Sequence, residues 1–358
     1  MSFYHSTVRR LLFGLDAETA HEYGINALRI GLASTYAQKF AAKRFGNESS
    51  DRLLRFGLKF ENPIGIAAGF DKNGTVVNQL AALGFGFVEV GTVTYEPQKG
   101  NEKPRLFRLP KDQALINRLG FNNEGAVRIA ERLKNINRKC VVGVNIGKNK
   151  DVPNEEATEN YLKSFDLIHG VADYIAVNVS SPNTPNLREL QKSDNLQELL
   201  GALQERNKAM GSKPLLVKIA PDLTDADLEM IVDTCLRLHV SGIIATNTTV
   251  SLAGLKTSNV AEYGSGGLSG KPLAARSNEV IRTIHRYSKG TMPIIGVGGI
   301  FSGQDAFEKI AAGACLLQAY TGFIYYGPSF AKDINRELAA LVYERGFAKL
   351  DDAIGSEA

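Results

Sequence analysis

The chain has 358 residues, of which 44% are hydrophobic and 22% charged, and its formal net charge is only +4. One α/β barrel of about 250 residues with an extension accommodates this length. The composition, which includes 35 glycines, excludes a disordered or fibrous protein. Because no run of about 18 apolar residues occurs and the N-terminus lacks a signal-peptide core, we expect neither an integral membrane protein nor a secreted one.

Residues 1 to 46 predict an N-terminal extension made of two amphipathic helices. Apolar positions at helical spacing form two groups, Val8, Leu11, Leu12 and Leu15, then His21, Ile25, Leu28 and Leu32. The segment holds six lysines and arginines but only three acidic residues. An anionic surface such as a membrane would explain this excess, and a solvated helix face explains it equally well.

From residue 62 onward, short apolar runs alternate with helical segments. Eight such runs occur: Ile64 to Ala68, Gly86 to Val90, Val141 to Ile146, Tyr174 to Val179, Leu215 to Ile219, Gly242 to Ala245, Pro293 to Val297 and Cys315 to Ala319. Strands that alternate with helices form right-handed βαβ units with a parallel sheet, and eight such units close a barrel. We therefore predict that residues 47–358 form a (β/α)8 TIM barrel behind the helical extension.

Two segments do not fit the simple alternation of strands and helices. The stretch from Lys99 to Asn123 is too long for a barrel loop and too polar for a helix, so we predict an excursion over the barrel mouth. Residues 249–268 are rich in serine, threonine and glycine. We expect this second loop to be mobile over the same site.

The predicted strands all end in small, polar or cationic residues. In chain order these ends are Ala68-Gly69 followed by Asp71-Lys72, then Gly91-Thr92, Asn145, Asn178, Lys218, Thr246 to Thr248, Gly298-Gly299 and Tyr320-Thr321. The run from Asn178 to Thr184 is the most informative, because amides and hydroxyls follow a buried strand directly and the strand stops at Pro182. Seen alone, this run would be a solvated turn. Together, the eight ends predict a ligand site at the carboxyl end of the barrel.

The chemistry of this predicted site is that of amides, hydroxyls and lysines. The candidates are Asn117, Asn145, Asn178, Asn183 and Asn247, with Lys72 and Lys218. The sequence has no phosphate-binding Walker loop, no H-E-x-x-H and no clustered carboxylates or histidines, so we predict no metal. Neutral hydrogen bonds can hold a planar polar ring while a lysine stabilises negative charge. Flavin mononucleotide (FMN) with a small amide-bearing anion would fit, and Gly298-Gly299 with Thr321 suit a phosphate.

Six motifs in a fixed order, spread over nearly the whole chain, carry a resemblance to a known family. They are Ala68 to Lys72, Asn117 to Asn123, Gly143 to Gly147, Asn178 to Thr184, Ile244 to Thr248 and Gly296 to Ile300. Together they resemble the dihydroorotate dehydrogenases. The match is to class 2, the quinone-reducing branch, because Ser181 stands at the base position where class 1 enzymes carry cysteine.

The resemblance implies that the chain oxidises (S)-dihydroorotate to orotate with FMN in de novo pyrimidine (UMP) synthesis. Ser181 would be the base that removes the C5 proton while hydride passes from C6 to flavin N5. The family's substrate contacts match Lys72, Asn117, Arg118, Leu119, Gly120, Phe121, Asn178, Asn183, Asn247 and Thr248. Its FMN contacts match Ala68, Gly69, Lys72, Thr92, Asn145, Asn178, Lys218, Thr246, Gly270, Gly299, Tyr320 and Thr321, with Lys218 near flavin N1.

The same resemblance assigns a role to residues 1 to 46. Class 2 members use an analogous helical pair to form a hydrophobic tunnel for ubiquinone or menaquinone, and His21 and Arg105 match positions near that tunnel. We therefore expect a monomer bound peripherally to lipid at the cytoplasmic face of the inner membrane, with no nucleic-acid partner.

Two alternative functions remain on sequence grounds. One is an FMN barrel that uses another substrate or a soluble acceptor such as fumarate or NAD. Ser181 and residues 1 to 46 argue against it. The other is a non-catalytic flavin-binding or membrane scaffold, since a fold alone does not establish chemistry. The intact set of base, lysines and amides argues against this second alternative.

Overall fold

Thirteen strands are present in the computed structural model, which describes residues 4–46 and 52–358. In chain order they are β1 (Leu53–Arg55), β2 (Leu58–Phe60), β3 (Ile64–Ile66), β4 (Phe87–Val93), β5 (Leu106–Leu109), β6 (Ala114–Asn117), β7 (Val141–Ile146), β8 (Tyr174–Asn178), β9 (Leu215–Ile219), β10 (Gly242–Ala245), β11 (Gly267–Gly270), β12 (Ile294–Val297) and β13 (Leu316–Ala319). Strands β3, β4, β7, β8, β9, β10, β12 and β13 form a closed parallel barrel. All eight predicted runs are confirmed as these barrel strands, and the TIM barrel is confirmed with them.

Helices surround the barrel and also form the N-terminal extension. The α-helices are α1 (Arg9–Phe13), α2 (Ala17–Gly31), α3 (Thr35–Phe45), α4 (Val77–Ala82), α5 (Ala126–Lys134), α6 (Ala157–His169), α7 (Ser193–Ala209), α8 (Asp225–Arg237), α9 (Ala274–Tyr287), α10 (Gly303–Ala311), α11 (Thr321–Tyr326), α12 (Phe330–Glu344) and α13 (Leu350–Ala353). A π-helical turn covers Tyr4–Val8, and short 3₁₀ segments cover Pro110–Asp112, Asn154–Glu156, Leu187–Gln191, Val260–Tyr263 and Lys271–Leu273. Among the described residues, no helix is both long enough and apolar enough to cross a bilayer.

The amino-terminal end of the barrel is closed by side chains. Strands β1 and β2 form an antiparallel hairpin that the sequence pattern did not predict, because each strand has only three residues. Phe60 at the end of β2 is fully buried and packs edge to face on Phe87 of the barrel. Interior residues such as Leu216 and Ile295 complete this apolar layer. The packed floor leaves the carboxyl end of the barrel for the site.

The N-terminal extension contains one helix more than predicted. The long helix α2 matches the second predicted group, and Asp16 caps its first turn by accepting hydrogen bonds from the backbone N–H groups of Glu18 and Thr19. Helix α3 follows after Ser34, which caps it in the same way. Residues 1–3 of the predicted extension, and residues 47–51 of the predicted barrel domain, lie outside the described residues.

The excursion predicted between Lys99 and Asn123 folds as a hairpin of β5 and β6, to which β11 adds a third antiparallel strand. Strand β11 comes from the end of the second long loop, so the two excursions are joined. Asp112 also ties them, since its carboxylate accepts hydrogen bonds from the backbone of Lys256 at 2.6 Å and Thr257 at 3.0 Å. The mobility of residues 249–268 stays a prediction.

Candidate active site

A cavity lies at the carboxyl ends of the barrel strands, under the β5–β6–β11 sheet. We call it the strand-end cavity. Except for Arg118 and Asn145, every residue predicted for catalysis, substrate or cofactor lines it. These are Ala68, Gly69, Lys72, Thr92, Asn117, Leu119, Gly120, Phe121, Asn178, Ser181, Asn183, Lys218, Thr246, Asn247, Thr248, Gly270, Gly299, Tyr320 and Thr321. The structure therefore brings together residues from seven of the eight strand ends and from the excursion.

Asn145 lies just beneath the cavity, where it is fully buried. Its Oδ1 accepts hydrogen bonds from the Thr92 hydroxyl at 2.6 Å and from the Asn178 amide at 3.1 Å. Both of these partners line the cavity. Asn145 therefore orients two groups of the site from below, and this structure places no Asn145 surface in the cavity wall.

The Arg118 side chain points away from the cavity. Its guanidinium donates to the carbonyl groups of Tyr263, of Ser265 at 3.0 Å and of Pro104 at 3.1 Å. It also stacks over the Phe107 ring, 4.7 Å from the ring centre. All of these partners belong to the two long loops, which carry the β5–β6–β11 sheet that forms the roof of the cavity. Arg118 therefore stabilises this roof and does not enter the cavity. Arg118 belongs to the motif from Asn117 to Asn123, but its side chain binds carbonyl groups of the two long loops and not the cavity.

Ser181 is nearly buried and has few partners of its own. Its Oγ accepts a hydrogen bond from the backbone N–H of Asn183 at 3.2 Å. The preceding residue, Ser180, is held more firmly, because its N–H and its hydroxyl both donate to Asn178 Oδ1 at 3.3 and 3.2 Å. The base candidate is therefore positioned mainly through the backbone that carries it.

Four of the cavity amides form two hydrogen-bonded pairs near Ser181. The Asn183 amide donates to Asn117 Oδ1 at 3.2 Å, and the Asn247 amide donates to Asn178 Oδ1, also at 3.2 Å. These side chains come from β6, from the last position of β8 and from the loops after β8 and β10. Each amide has both donor and acceptor atoms, so the set can pair with the carbonyl and N–H groups of a planar ring.

Lys72 supplies the positive charge at the cavity wall. Burial lowers the pKa of its ammonium group to about 8, and the nearby Glu18 carboxylate opposes that shift. The group is still mostly protonated at pH 7. A charged donor in a buried wall favours an anionic ligand, such as a carboxylate.

A buried network under the cavity floor was not predicted from the sequence. Glu89 is completely buried, and its carboxylate accepts hydrogen bonds from Asn145 at 3.0 Å, Tyr174 at 2.9 Å and Gln318 at 2.7 Å. The Lys218 ammonium lies 3.7 Å from the same carboxylate. Burial and the Glu89 charge raise the pKa of the Tyr174 hydroxyl well above its usual range. The only sequence signal was one acidic residue inside an apolar strand.

Two glycines of the cavity wall, at the ends of β11 and β12, have no space for a side chain. Gly299 has φ = +74°, and a Cβ there would lie 2.4 Å from the Ala274 Cβ. Gly270 has φ = +103°, and a Cβ there would lie 2.3 Å from the Gln113 carbonyl oxygen. Both clashes are with the protein's own atoms, so only glycine fits at these two positions of the cavity wall. Thr321 adds a hydroxyl, 2.9 Å from that of Ser269.

A second cavity, of about 770 Å³, lies between the N-terminal helices and the barrel. We call it the helix cavity. Its wall is mostly apolar and includes Phe13, Leu28, Phe45, Leu83 and Phe323. Leu106 and Leu115 line both cavities. Phe70 lines the helix cavity and packs edge to face on Tyr320 of the strand-end cavity, with ring centres 5.9 Å apart. The two cavities thus share a thin wall of apolar and aromatic side chains.

The two residues predicted for a tunnel have different places. His21 lines the helix cavity, and burial lowers the pKa of its imidazole to about 3, with the Lys72 charge adding to the shift. Arg105 does not line it. Its guanidinium forms a buried ion pair with Glu18 of α2, with contacts of 2.7 to 3.2 Å, and donates to the carbonyl groups of Lys99 and Asn101, both at 2.7 Å. Arg105 therefore joins α2 to the excursion.

Comparisons with known proteins agree with this geometry. The family model described as dihydroorotate dehydrogenase matches residues 54–342. A "dihydroorotate dehydrogenase (quinone)" of Christiangramia forsetii is 52% identical over 338 residues, which cover 94% of this chain and 98% of the relative. One of Gloeobacter violaceus is 50% identical, with 97% of each chain covered. A crystal structure of dihydroorotate dehydrogenase from Eimeria tenella in complex with ferulenol has a TM-score of 0.88 at 36% identity and covers 97% of this chain and 98% of its own.

Proposed function

The chain belongs to the dihydroorotate dehydrogenase family, and we propose that it oxidises dihydroorotate to orotate and transfers the electrons to a quinone. The supporting relatives are named as quinone enzymes and match nearly from end to end. The chain is therefore an oxidoreductase of pyrimidine biosynthesis. The single observation that carries the proposal is that one cavity brings Ser181, Lys72 and four asparagines together beside a second, apolar cavity.

The family is flavin-dependent, and FMN is the flavin that we propose for this chain. The glycine positions Gly270 and Gly299 and the hydroxyl of Thr321 suit a phosphate. Gln318 Oε1, which is buried at the cavity floor, has no hydrogen-bond partner among the described residues. An unpaired buried acceptor is costly, so a donor on a bound ring would satisfy it. The residues proposed to hold FMN are Ala68, Gly69, Lys72, Thr92, Asn145, Asn178, Lys218, Thr246, Gly270, Gly299, Tyr320 and Thr321, with Asn145 acting through Thr92 and Asn178.

We propose that the substrate binds through its carboxylate and its ring amides. Lys72 pairs with the carboxylate in a charge-assisted hydrogen bond. The amides of Asn117, Asn178, Asn183 and Asn247 match the two carbonyl and two N–H groups of the pyrimidine ring. Leu119, Gly120, Phe121 and Thr248 complete the wall, while Arg118 holds the roof in place.

Ser181 is the proposed base that removes the proton from C5 of the substrate. The FMN that the residues named above would hold would supply the acceptor for the hydride from C6. A serine hydroxyl is a weak base, so the step needs a site from which water is excluded and a route for the proton. Ser181 is 5% exposed. Thr184, three residues later, has a buried hydroxyl without a hydrogen-bond partner among the described residues. We propose that Ser181 releases its own hydroxyl proton as it takes the C5 proton, and that Thr184 relays the released proton to solvent water.

The helix cavity is the proposed quinone site. Its wall is mostly apolar, it reaches the wall of the strand-end cavity at Phe70, and His21 gives it a neutral imidazole that can hydrogen-bond to a quinone carbonyl. Large apolar side chains of α1 to α3 point outward, with exposures from 70 to 82%: Leu11, Ile30, Tyr36 and Phe40. Together with the positive charge of residues 1–46, they support peripheral binding to a membrane. We propose that the protein binds there as a monomer, at the cytoplasmic face. Ubiquinone and menaquinone both fit this apolar chemistry.

Gly24 offers a direct test of the helix cavity. It lines that cavity, and a Cβ added there meets no atom within 4 Å, so the side chain of Gly24→Leu would start in open space at the cavity wall. Gly31 on the same helix is exposed, also has free space around a Cβ and does not line the cavity, so Gly31→Leu is the matched control.

The measurement is the rate of each half-reaction, first anaerobic flavin reduction by dihydroorotate and then reoxidation by a short-chain ubiquinone analogue. We expect Gly24→Leu to slow only reoxidation, and Gly31→Leu to slow neither step. Equal reoxidation rates in both variants would reject the quinone site. If dihydroorotate does not bleach the flavin of the unmodified protein, the substrate assignment is wrong.

A further inference from the structure

Arg188 ties together three of the loops that surround the proposed substrate. Its Nε donates to the Ser180 carbonyl oxygen at 3.2 Å, and its Nη2 donates to the Thr248 carbonyl oxygen at 3.1 Å. Its Nη1 donates to the Asp222 carboxylate at 2.8 Å. These partners follow β8, β10 and β9, three neighbouring strands of the barrel. No sequence motif used in the assignment of the site includes Arg188.

The contact with Ser180 bears on the proposed base, Ser181. The Ser181 hydroxyl has only the backbone N–H of Asn183 as a partner among the hydrogen bonds described. Its position therefore depends on the peptide that precedes it. That peptide is fixed on one side by Asn178, to which Ser180 donates, and on the other by the guanidinium of Arg188.

Asp222 extends the same contacts to the second long loop. Its carboxylate accepts hydrogen bonds from the Thr249 hydroxyl and from the Val250 N–H, the latter at 3.2 Å. These are the first residues of segment 249–268, which supplies β11 to the roof of the cavity. The Arg188–Asp222 pair thus connects the loop that carries Ser181 to the start of segment 249–268.

We propose that Arg188 is a positioning residue for proton abstraction, which fixes the Ser180-Ser181 peptide and the Thr248 backbone around the substrate. This inference rests on the proposed function, since it needs Ser181 as the base. A guanidinium can serve three acceptors in one plane, whereas lysine and glutamine cannot. Both members of the ion pair are about one quarter exposed, so the pair contributes little to stability. The contribution of Arg188 is therefore the geometry of the loops.

The test compares Arg188→Gln with the unmodified protein in both half-reactions. A displacement of about 1 Å in a reacting group can cost about 100-fold in rate. We expect anaerobic flavin reduction by dihydroorotate to slow by about 10- to 100-fold on this basis, while reoxidation by the quinone analogue keeps its rate. The helix cavity includes none of the Arg188 contacts, so reoxidation reports the integrity of the rest of the molecule.

The chain offers a matched control at the opposite end of the barrel. Arg138 forms a comparable ion pair with Asp173 at 3.0 Å, and both side chains are 30% exposed. It also donates to a carbonyl oxygen, that of Val171 at 3.2 Å. Arg138→Gln therefore removes similar interactions far from Ser181 and should leave both half-reactions unchanged. Arg188→Lys keeps the charge without the three-way contact, and we expect it to remain slow in flavin reduction.

A second readout does not depend on turnover. Hydrogen exchange at the backbone amides of Asn183 and Val250 should become faster in Arg188→Gln, and that at Ile244 in the barrel wall should not change. Flavin reduction as fast as in Arg138→Gln would overturn the proposal, and so would an equal loss in both half-reactions. If the unmodified flavin is not reduced by dihydroorotate, the proposed function itself fails, which is a different result.

Discussion

The Lys218 ammonium lies 3.7 Å from the Glu89 carboxylate, and the two side chains are 6% and 0% exposed. They stand one layer apart at the centre of the barrel, with Lys218 in the cavity wall and Glu89 beneath it. A buried charge is tolerated when it is paired and hydrogen-bonded, as Glu89 is by Asn145, Tyr174 and Gln318. The floor of the proposed flavin site is therefore a charged network centred on Glu89, in which Gln318 Oε1 is left without a partner among the described residues.

Glu89→Gln tests this network. A glutamine keeps the shape but replaces one acceptor oxygen by an NH₂ group, so at least one of the surrounding donors loses its partner. Leaving a buried donor unpaired costs about 1–3 kcal/mol. We expect urea unfolding of the flavin-free protein to show a loss of this size, and the midpoint potential of bound flavin to become more positive because one negative charge is removed. Stability and potential both equal to those of the unmodified protein would contradict this view.

Lys72 predicts a pH dependence of substrate binding. Its pKa is lowered to about 8 by burial, so the ammonium is present below pH 8 and is lost as the pH rises above it. The substrate carboxylate needs that charge. The KM for dihydroorotate should be constant at neutral pH and rise by about tenfold per pH unit above the pKa, since one proton must be retained. Lys72→Gln should have a higher KM with no such rise, and a flat KM up to pH 10 in the unmodified protein would rule out this role.

The backbone at Gly299 is expected to lie close to the bound flavin. Gly299→Ala would bring a Cβ to 2.4 Å from the Ala274 Cβ at a backbone φ of +74°, so we expect weaker FMN binding and loss of the yellow colour on dialysis. Gly57 has the same φ, and a Cβ there meets no atom within 4 Å, so Gly57→Ala is the control for backbone strain alone. Equal FMN retention in the two variants would show that the Gly299 turn does not approach the flavin.

The barrel itself was predictable because parallel strands covered on both faces appear as short apolar runs. Their polar endings then located the cavity, since all parallel strands end on the same side. The β1–β2 hairpin and helix α3 were not predicted. A three-residue strand such as Leu53–Arg55 has too few positions to show a period of two, and the apolar positions of α3 are interrupted by Gln38 and Lys39.

The directions of individual side chains in the site could not be predicted from the sequence. Arg118 belongs to a motif whose backbone lines the cavity, yet its own long side chain reaches carbonyl groups of the roof. Glu89 was missed for the opposite reason, because its partners Tyr174 and Gln318 are distant in sequence and meet only inside the closed barrel. Arg188 likewise acts through backbone carbonyls, which leave no trace in a residue pattern.

Arg105 should affect reoxidation by quinone more than flavin reduction, because its ion pair with Glu18 holds α2 in place. Removing one partner of a buried ion pair leaves an uncompensated charge and costs about 3–5 kcal/mol. In Arg105→Met, Glu18 loses its main partner, so we expect α2 to detach more easily and reoxidation by quinone to fall more than flavin reduction does. Protease cleavage within residues 17–31 should also become faster. Arg345→Met, which breaks an exposed pair with Glu357, is the control, and equal behaviour of the two variants would refute the role of Arg105.

The most direct measurement of the central claim is anaerobic flavin reduction by dihydroorotate in Ser181→Ala beside the unmodified protein, with orotate binding measured in both. Loss of a general base costs about 10²- to 10⁴-fold in rate. We predict a loss in that range with orotate affinity retained, because Lys72 and the amides that hold the ring remain. A Ser181→Ala protein that reduces its flavin at the unmodified rate would contradict the assignment of Ser181 as the base and, with it, this account of the site.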